Sequence, residues 1–185
     1  MGNAAAGAAL AHLMQADRDR ALEWLGRARD AYRESWDDAP PGSWGRPIAM
    51  LKARILAGDW PHAEDDARWT LEQGAAEAES PIGRYAACLA LLTLGRWEEA
   101  RVLADGLRTR EDFPEAVGDA LAMIATEDRV GYVEAVEAVL DSFETREEHL
   151  EDVPVADTVV VLQALAARRG LEVELESALL PEVPA

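Results

Sequence analysis

Three groups of side chains in this sequence have types and spacings that could do chemistry. Asp65 and Asp66 stand three and four residues after His62, and Glu148 and Asp152 stand one residue before and three after His149. On a helix each set would place an imidazole beside carboxylates, the beginning of a metal site. Neither set matches the His-Glu-x-x-His pattern, and no third constrained ligand can be read from elsewhere in the chain, so no metal and no cofactor is expected. The third group is the run Glu134, Glu137, Asp141, Glu144, Glu147, Glu148, Glu151 and Asp152, opposed only by Arg146. Carboxylates at this density attract cations; the chemistry they offer is recognition.

Other chemistries are poorly supplied. There is no Gly-x-Ser-x-Gly elbow, no glycine-rich phosphate loop and only three histidines to act as general bases, so a non-catalytic role is expected. Cys88 is the single cysteine, which excludes an intramolecular disulfide and a multi-thiolate zinc site. It sits in the apolar run Ala86 to Leu92 and reads as a small core residue in a chain suited to a reducing cytoplasm. The formal charge of −18 repels phosphate backbones and anionic lipid alike, so neither nucleic acid nor membrane is an expected partner. Met1 to Leu13 lacks a basic n-region and is not expected to act as a signal peptide. No apolar run reaches the roughly 18 residues that span a bilayer.

The elements that must position these residues read as helices throughout. Leu56-Ala-Gly-Asp-Trp60-Pro-His-Ala63 and Leu94-Gly-Arg-Trp97-Glu-Glu-Ala100 share a glycine, a Trp two residues on, and an Ala three residues after that. A weaker copy is read at Tyr132-Val-Glu-Ala135, and another upstream at Asp19-Arg-Ala21. Each unit predicts two helices around a tight turn, with the glycine in the left-handed position that ends the first. The resulting helices are 4–15, 18–35, 45–57, 61–76, 82–94, 97–109, 114–126, 130–149 and 155–169, followed by an extended tail over 170–185. This makes four hairpins (4–35, 45–76, 82–109, 114–149) and a closing helix in one domain, an all-α solenoid. On the helix 130–149, positions 134, 137, 141, 144 and 148 line up as an anionic stripe, and Val133, Val136, Leu140, Phe143 and Leu150 as an apolar one.

The junction Leu91-Leu-Thr-Leu-Gly95-Arg-Trp97-Glu-Glu-Ala100 resembles the turn of a tetratricopeptide repeat, and Ile55 to Ala63 is similar. The order of alanine-rich hairpins, Gly-x-Trp junctions and the ending Leu165-Ala-Ala-Arg-Arg-Gly-Leu-Glu-Val resembles actinobacterial immunity proteins of polymorphic toxin systems, the immunity protein 49 family. That resemblance implies a cytoplasmic protein that binds and blocks a cognate toxin domain, and it supplies no catalytic residue.

The candidate contact surface is then Glu134, Glu137, Asp141, Glu144, Glu148 and Asp152, set to steer a basic partner. A second candidate is the turn Trp36, Asp37, Asp38 and Trp44, where a tryptophan could anchor an interface or instead pack over the hairpin junction. Two competing readings are kept: a general tetratricopeptide-like scaffold holding a peptide in a concave groove, and a metal-dependent hydrolase on a helical frame. The acidic face could also be merely solvated, or an adaptation to high salt. Against that, residues 1–80 carry 14 acids and 9 bases while 81–185 carry 22 and 9, so the charge is concentrated.

Overall fold

The computed structural model describes residues 1–181. Among these the regular structure is nine α-helices and two short 3-10 turns, with no strand. The helices are α1 (Gly2–Met14), α2 (Arg18–Glu34), α3 (Gly45–Ala57), α4 (Trp60–Glu72), α5 (Pro81–Thr93), α6 (Trp97–Leu107), α7 (Glu115–Thr126), α8 (Arg129–Glu144) and α9 (Asp157–Ala167); the turns are Ala75–Glu77 and Leu150–Asp152.

Four of the interhelical junctions are built alike. At Ala16, Gly58, Gly95 and Glu127 the backbone turns left-handed, with φ of 55°, 69°, 69° and 59°. The next residue sends its N–H back to a carbonyl five positions earlier: Asp17 to His12 at 3.0 Å, Asp59 to Arg54 at 3.1 Å, Arg96 to Leu91 at 2.9 Å and Asp128 to Met123 at 3.0 Å. This closure satisfies carbonyls that the end of a helix leaves bare, and it turns the chain straight into the next helix. Five residues after the left-handed one stand Ala21, Ala63, Ala100 and Tyr132, each with no exposed surface. The weaker copy read from the sequence is therefore out of register. Arg129, not Tyr132, occupies the place of Trp60 and Trp97, and Tyr132 fills the place of the alanines. The copy hides because Glu127 does in a strained conformation what glycine does elsewhere.

Helices adjacent in sequence pack on one another from α1 to α8, and α3, α5 and α7 also touch. The centre is α5, buried continuously from Tyr85 to Thr93, as expected of a helix apolar all round. Ser80 caps it, accepting a hydrogen bond from the Gly83 N–H. Helix α9 packs against α3, α7 and α8. Its Val159, Val161, Leu162 and Leu165 are fully buried, each worth about 1.5–3 kcal/mol. Two consecutive arginines fasten its end. Arg168 lies 4.5 Å from the Trp60 ring centre and donates to the Thr93 carbonyl, while Arg169 lies 4.5 Å from that of Trp97 and pairs with Glu127 at 3.1 Å. Trp60 and Trp97 are thus half-buried and packed on the core.

Past Gly170 the chain runs extended. Leu171 is buried, and Val173 and Leu175 pack on the core, while Glu172, Glu174 and Glu176 face water. The Ala156 N–H donates to the Leu179 carbonyl at 2.9 Å, closing the tail onto the start of α9. The expected tail extended to 185; residues 182–185 lie outside those described.

The largest departure from expectation is α8, which ends at Glu144. A continuation to 149 would stack Glu144, Glu147, Glu148 and Glu151 at like-charge spacings. The helix also has no base in its last turn to meet its negative end. The chain instead leaves the helix, and Leu150 stays partly exposed, at 39%, rather than joining the core.

Candidate functional site

The anionic stripe is correspondingly shortened. Glu134, Glu137, Asp141 and Glu144 are exposed along α8, whereas Glu148 and Asp152 belong to the segment beyond it. The segment crosses to the N-terminal helix, where the Glu151 side chain packs where a Cβ on Gly7 would stand. Glu151 and Asp152 both take left-handed backbone conformations, at φ of 51° and 58°.

The pairing of acids divides the molecule. Arg27, Arg33, Arg68, Arg96, Arg101, Arg108 and Arg110 each hold an acid from the first two-thirds of the chain. Even Arg168 and Arg169 reach back, to Glu64 and Glu127. Between Glu134 and Glu176, by contrast, Asp157 is the one acid among the described residues with a cationic partner. Glu144 accepts a hydrogen bond from the Ser177 hydroxyl at 2.6 Å, which leaves its charge uncompensated.

The Trp36–Trp44 turn is resolved in favour of packing. Trp44 is buried against the core, correcting its reading as an exposed anchor, and the Trp36 ring centre lies 5.3 Å from that of Trp44 and 5.7 Å from that of Trp69. Trp36 also donates its indole N–H to Gln73. A Trp-rich turn must bury its ring area somewhere, and the hairpin junction supplies the place. Asp37 and Asp38 are exposed, and Arg33 approaches Asp37 at 3.8 Å.

The structure unites two regions that the sequence kept separate. An open cavity of about 1150 Å³ lies between α1, α2, α3 and the 150–152 turn; Asp38 and Trp44 of one predicted patch line it beside Glu151, which belongs to the acidic run but not to the predicted contact surface. Tyr32, Glu34 and Arg46 complete its sides, and Lys52 and Asp157 reach it from α3 and α9. Lys52, the only lysine, donates to Asp157 at 2.7 Å and to the Thr158 hydroxyl at 2.8 Å. Burial alone would favour the neutral amine, but Asp157 outweighs it and the ammonium is held above its usual range. Such a lysine is fixed in its charged form, the wrong state for a nucleophile or a base. Tyr85 approaches from α5. Its buried hydroxyl has no protein partner, and its pKa is raised by burial and further adjusted by the charges of Lys52 and Asp157. Tyr32 titrates high, at about 12, through burial and the charges of Glu151 and Asp157.

This pairing was missed in the sequence, although a signal was present. Lys52 sits among Ile48, Leu51 and Ile55 on the apolar side of α3, and a lone lysine there calls for a buried partner.

Both histidine clusters come apart as metal sites. Asp66 is buried, its two oxygens taken by Arg29 at 2.5 Å and Arg54 at 3.2 Å. Asp65 pairs with Arg68, and the His62 ring nitrogen lies 2.8 Å from Asp59. In the second cluster the helix that would align Glu148, His149 and Asp152 is absent. Among the described residues no group of three His, Cys, Asp or Glu side chains is placed to share a metal. Nor is any helix long and apolar enough to cross a membrane.

No family model matches the chain, and neither does any curated protein or solved structure.

Proposed function

We propose that the chain is a non-catalytic binding module that engages and blocks a basic protein partner, in the manner of an immunity protein against a toxin domain. The observation that carries this reading is the uncompensated charge from Glu134 to Glu176. A protein that needed acids only for solubility could intersperse its bases with them, as this chain does in its first two-thirds. Carboxylates left without cations over one stretch retain their field and accelerate encounter with a cationic surface. The four like-built junctions support a tetratricopeptide-like stacking of hairpins, a stiff frame on which the acids of α8 are held exposed. The alternative of a peptide held in a groove loses support, because α9 of the chain itself lies against α3 and α7.

A neighbouring gene for a basic toxin domain would favour this reading, and the test is then reconstitution of the chain with that domain. Co-expression should relieve growth arrest, and the purified pair should form a stoichiometric complex. Changing Glu137, Asp141, Glu144 and Glu148 to their amides should slow association by about tenfold at low salt and flatten its salt dependence. A toxin that is neither bound nor neutralised would overturn the reading, and association rates unchanged at low salt would remove the steering.

A further inference from the structure

The segment from Val155 to Leu180 is fastened to the rest of the chain along its length. Lys52 of α3 holds Asp157 and Thr158 at its start. At the end of α9, Arg168 and Arg169 donate to the Thr93 and Ala125 carbonyls, and in the tail the Glu172 carbonyl accepts from Arg129 of α8 at 2.8 Å. Between these ties Val159, Val161, Leu162 and Leu165 are fully buried where α9 meets α3, α7 and α8. The Ala156–Leu179 hydrogen bond closes the segment on itself. Each tie to the body ends on a residue before Thr145, and none uses the connection 145–154.

That connection is strained. Pro154 favours an extended Val153, found at φ −95° and ψ 109°, whereas the chain just before it is bent by the left-handed pair Glu151 and Asp152, at φ 51° and 58°. A Cβ at either position disfavours that conformation, which glycine would adopt freely. The connection also carries Glu147, Glu148, Glu151 and Asp152, which have no cationic partner among the described residues. Straightening it would relieve both backbone positions and let the acids draw apart. The contact given up would be that of Glu151 on Gly7 of α1.

We propose that two copies of this chain assemble by exchanging α9 and the tail, the groove between α3, α7 and α8 of each receiving residues 155–180 of the other. The groove already holds that helix in the monomer, so the exchanged interface needs no new contact; the connection alone differs. Exchange relieves the strain in both chains and costs the free motion of one molecule, so monomer and dimer stand in equilibrium. Two chains of formal charge −18 repel each other, so salt favours the dimer. The exchange is independent of whether the chain blocks a toxin.

Lys52 and Asp157 supply the test. In Lys52→Asp two carboxylates meet, and in Asp157→Lys two ammoniums, whether α9 closes on its own chain or on an identical copy. Exchange between the two different variants restores an opposite pair in both grooves. Refolded together from urea at high concentration and high salt, they should yield a heterodimer of twice the chain mass by light scattering, while each refolded alone is less stable than the unchanged protein. A chain carrying both changes should fold by itself, which checks that the reversed pair is accepted. A mixture in which neither variant gains a partner would overturn the proposal. A second series leaves the groove untouched and decides the matter if the reversed pair is not accepted. Asp152→Pro, which excludes the left-handed conformation, should tighten dimerisation of the full chain by about tenfold, and Glu151→Gly with Asp152→Gly, which relieves it, should weaken dimerisation by about tenfold. Both positions are exposed, so these variants should fold. Equal dimer fractions for the three chains in sedimentation equilibrium, or an unchanged protein that stays monomeric at every concentration and salt, would also overturn it.

Discussion

Asp66 shows how a carboxylate can be bound to structure rather than function. It is the sole buried acid among the described residues, and it bridges guanidiniums from α2 and α3 onto α4. Removing it leaves Arg29 and Arg54 facing each other in a half-buried site. Asp66→Ala should therefore cost about 3 kcal/mol, towards the lower end for breaking a buried pair because both arginines keep some solvent; a loss under about 0.5 kcal/mol in urea denaturation would contradict this. Two nearby groups titrate in opposite senses. Burial raises the Asp59 carboxyl, but the His62 hydrogen bond and the charge of Arg54 prevail and hold it below the ordinary value. Its contribution is complete above the unfolded value of about 3.9 and is lost as pH falls through the lower folded one. Asp59→Asn should thus reduce the acid sensitivity of unfolding below about pH 4. Lys52 is shifted upwards, so its share is complete below about pH 10.4 and disappears as pH climbs through its higher folded value. An alkaline unfolding limb unchanged in Lys52→Met would contradict that assignment.

Among the elements, most helix ends were legible, 114–126 against Glu115–Thr126 and 18–35 against Arg18–Glu34, but the left-handed turn itself was legible only where glycine makes it. Glycine marked Gly58 and Gly95, whereas Glu127 and Ala16 adopt the same turn with no residue type to announce it. Nothing local marked the end of α8 either, because its apolar spacing continued and only the accumulation of negative charge opposed it. For the site, exposure of the α8 acids followed from periodicity. The cavity could not, because it depends on chain crossings between residues more than a hundred positions apart. Two substitutions test these elements. Glu127→Gly should relieve the strained junction and gain up to about 1 kcal/mol, less whatever the Arg169 contact contributes; a destabilised variant would show the ion pair to be the larger effect. On propensity alone Gly118→Ala in α7 should stabilise by about 1 kcal/mol. A methyl group there would stand 2.9 Å from the Arg108 backbone, however, so α6 and α7 must separate. The expected outcome is a net loss of about 1–3 kcal/mol, seen as a lower urea midpoint with the slope preserved.

At the scale of the whole molecule, unpaired acids concentrated towards one end of the chain repel one another in the folded state. Raising salt from about 0.01 M to about 0.15 M shortens the screening length from roughly 30 Å to 8 Å. The melting temperature should rise over that interval, and it should rise less in a Glu134→Gln, Glu137→Gln, Asp141→Asn variant; a melting temperature indifferent to salt would indicate that the carboxylates are spaced widely enough not to interact. One long-range tie of the fold is the hold of Lys52 on Asp157, across 105 positions of chain. During synthesis α3 emerges long before α9 exists, and the bond from Ala156 to Leu179 waits later still. A ribosome would therefore release most of the body with an apolar seam uncovered, and the molecule becomes sealed only when the last stretch of the chain folds back to close it.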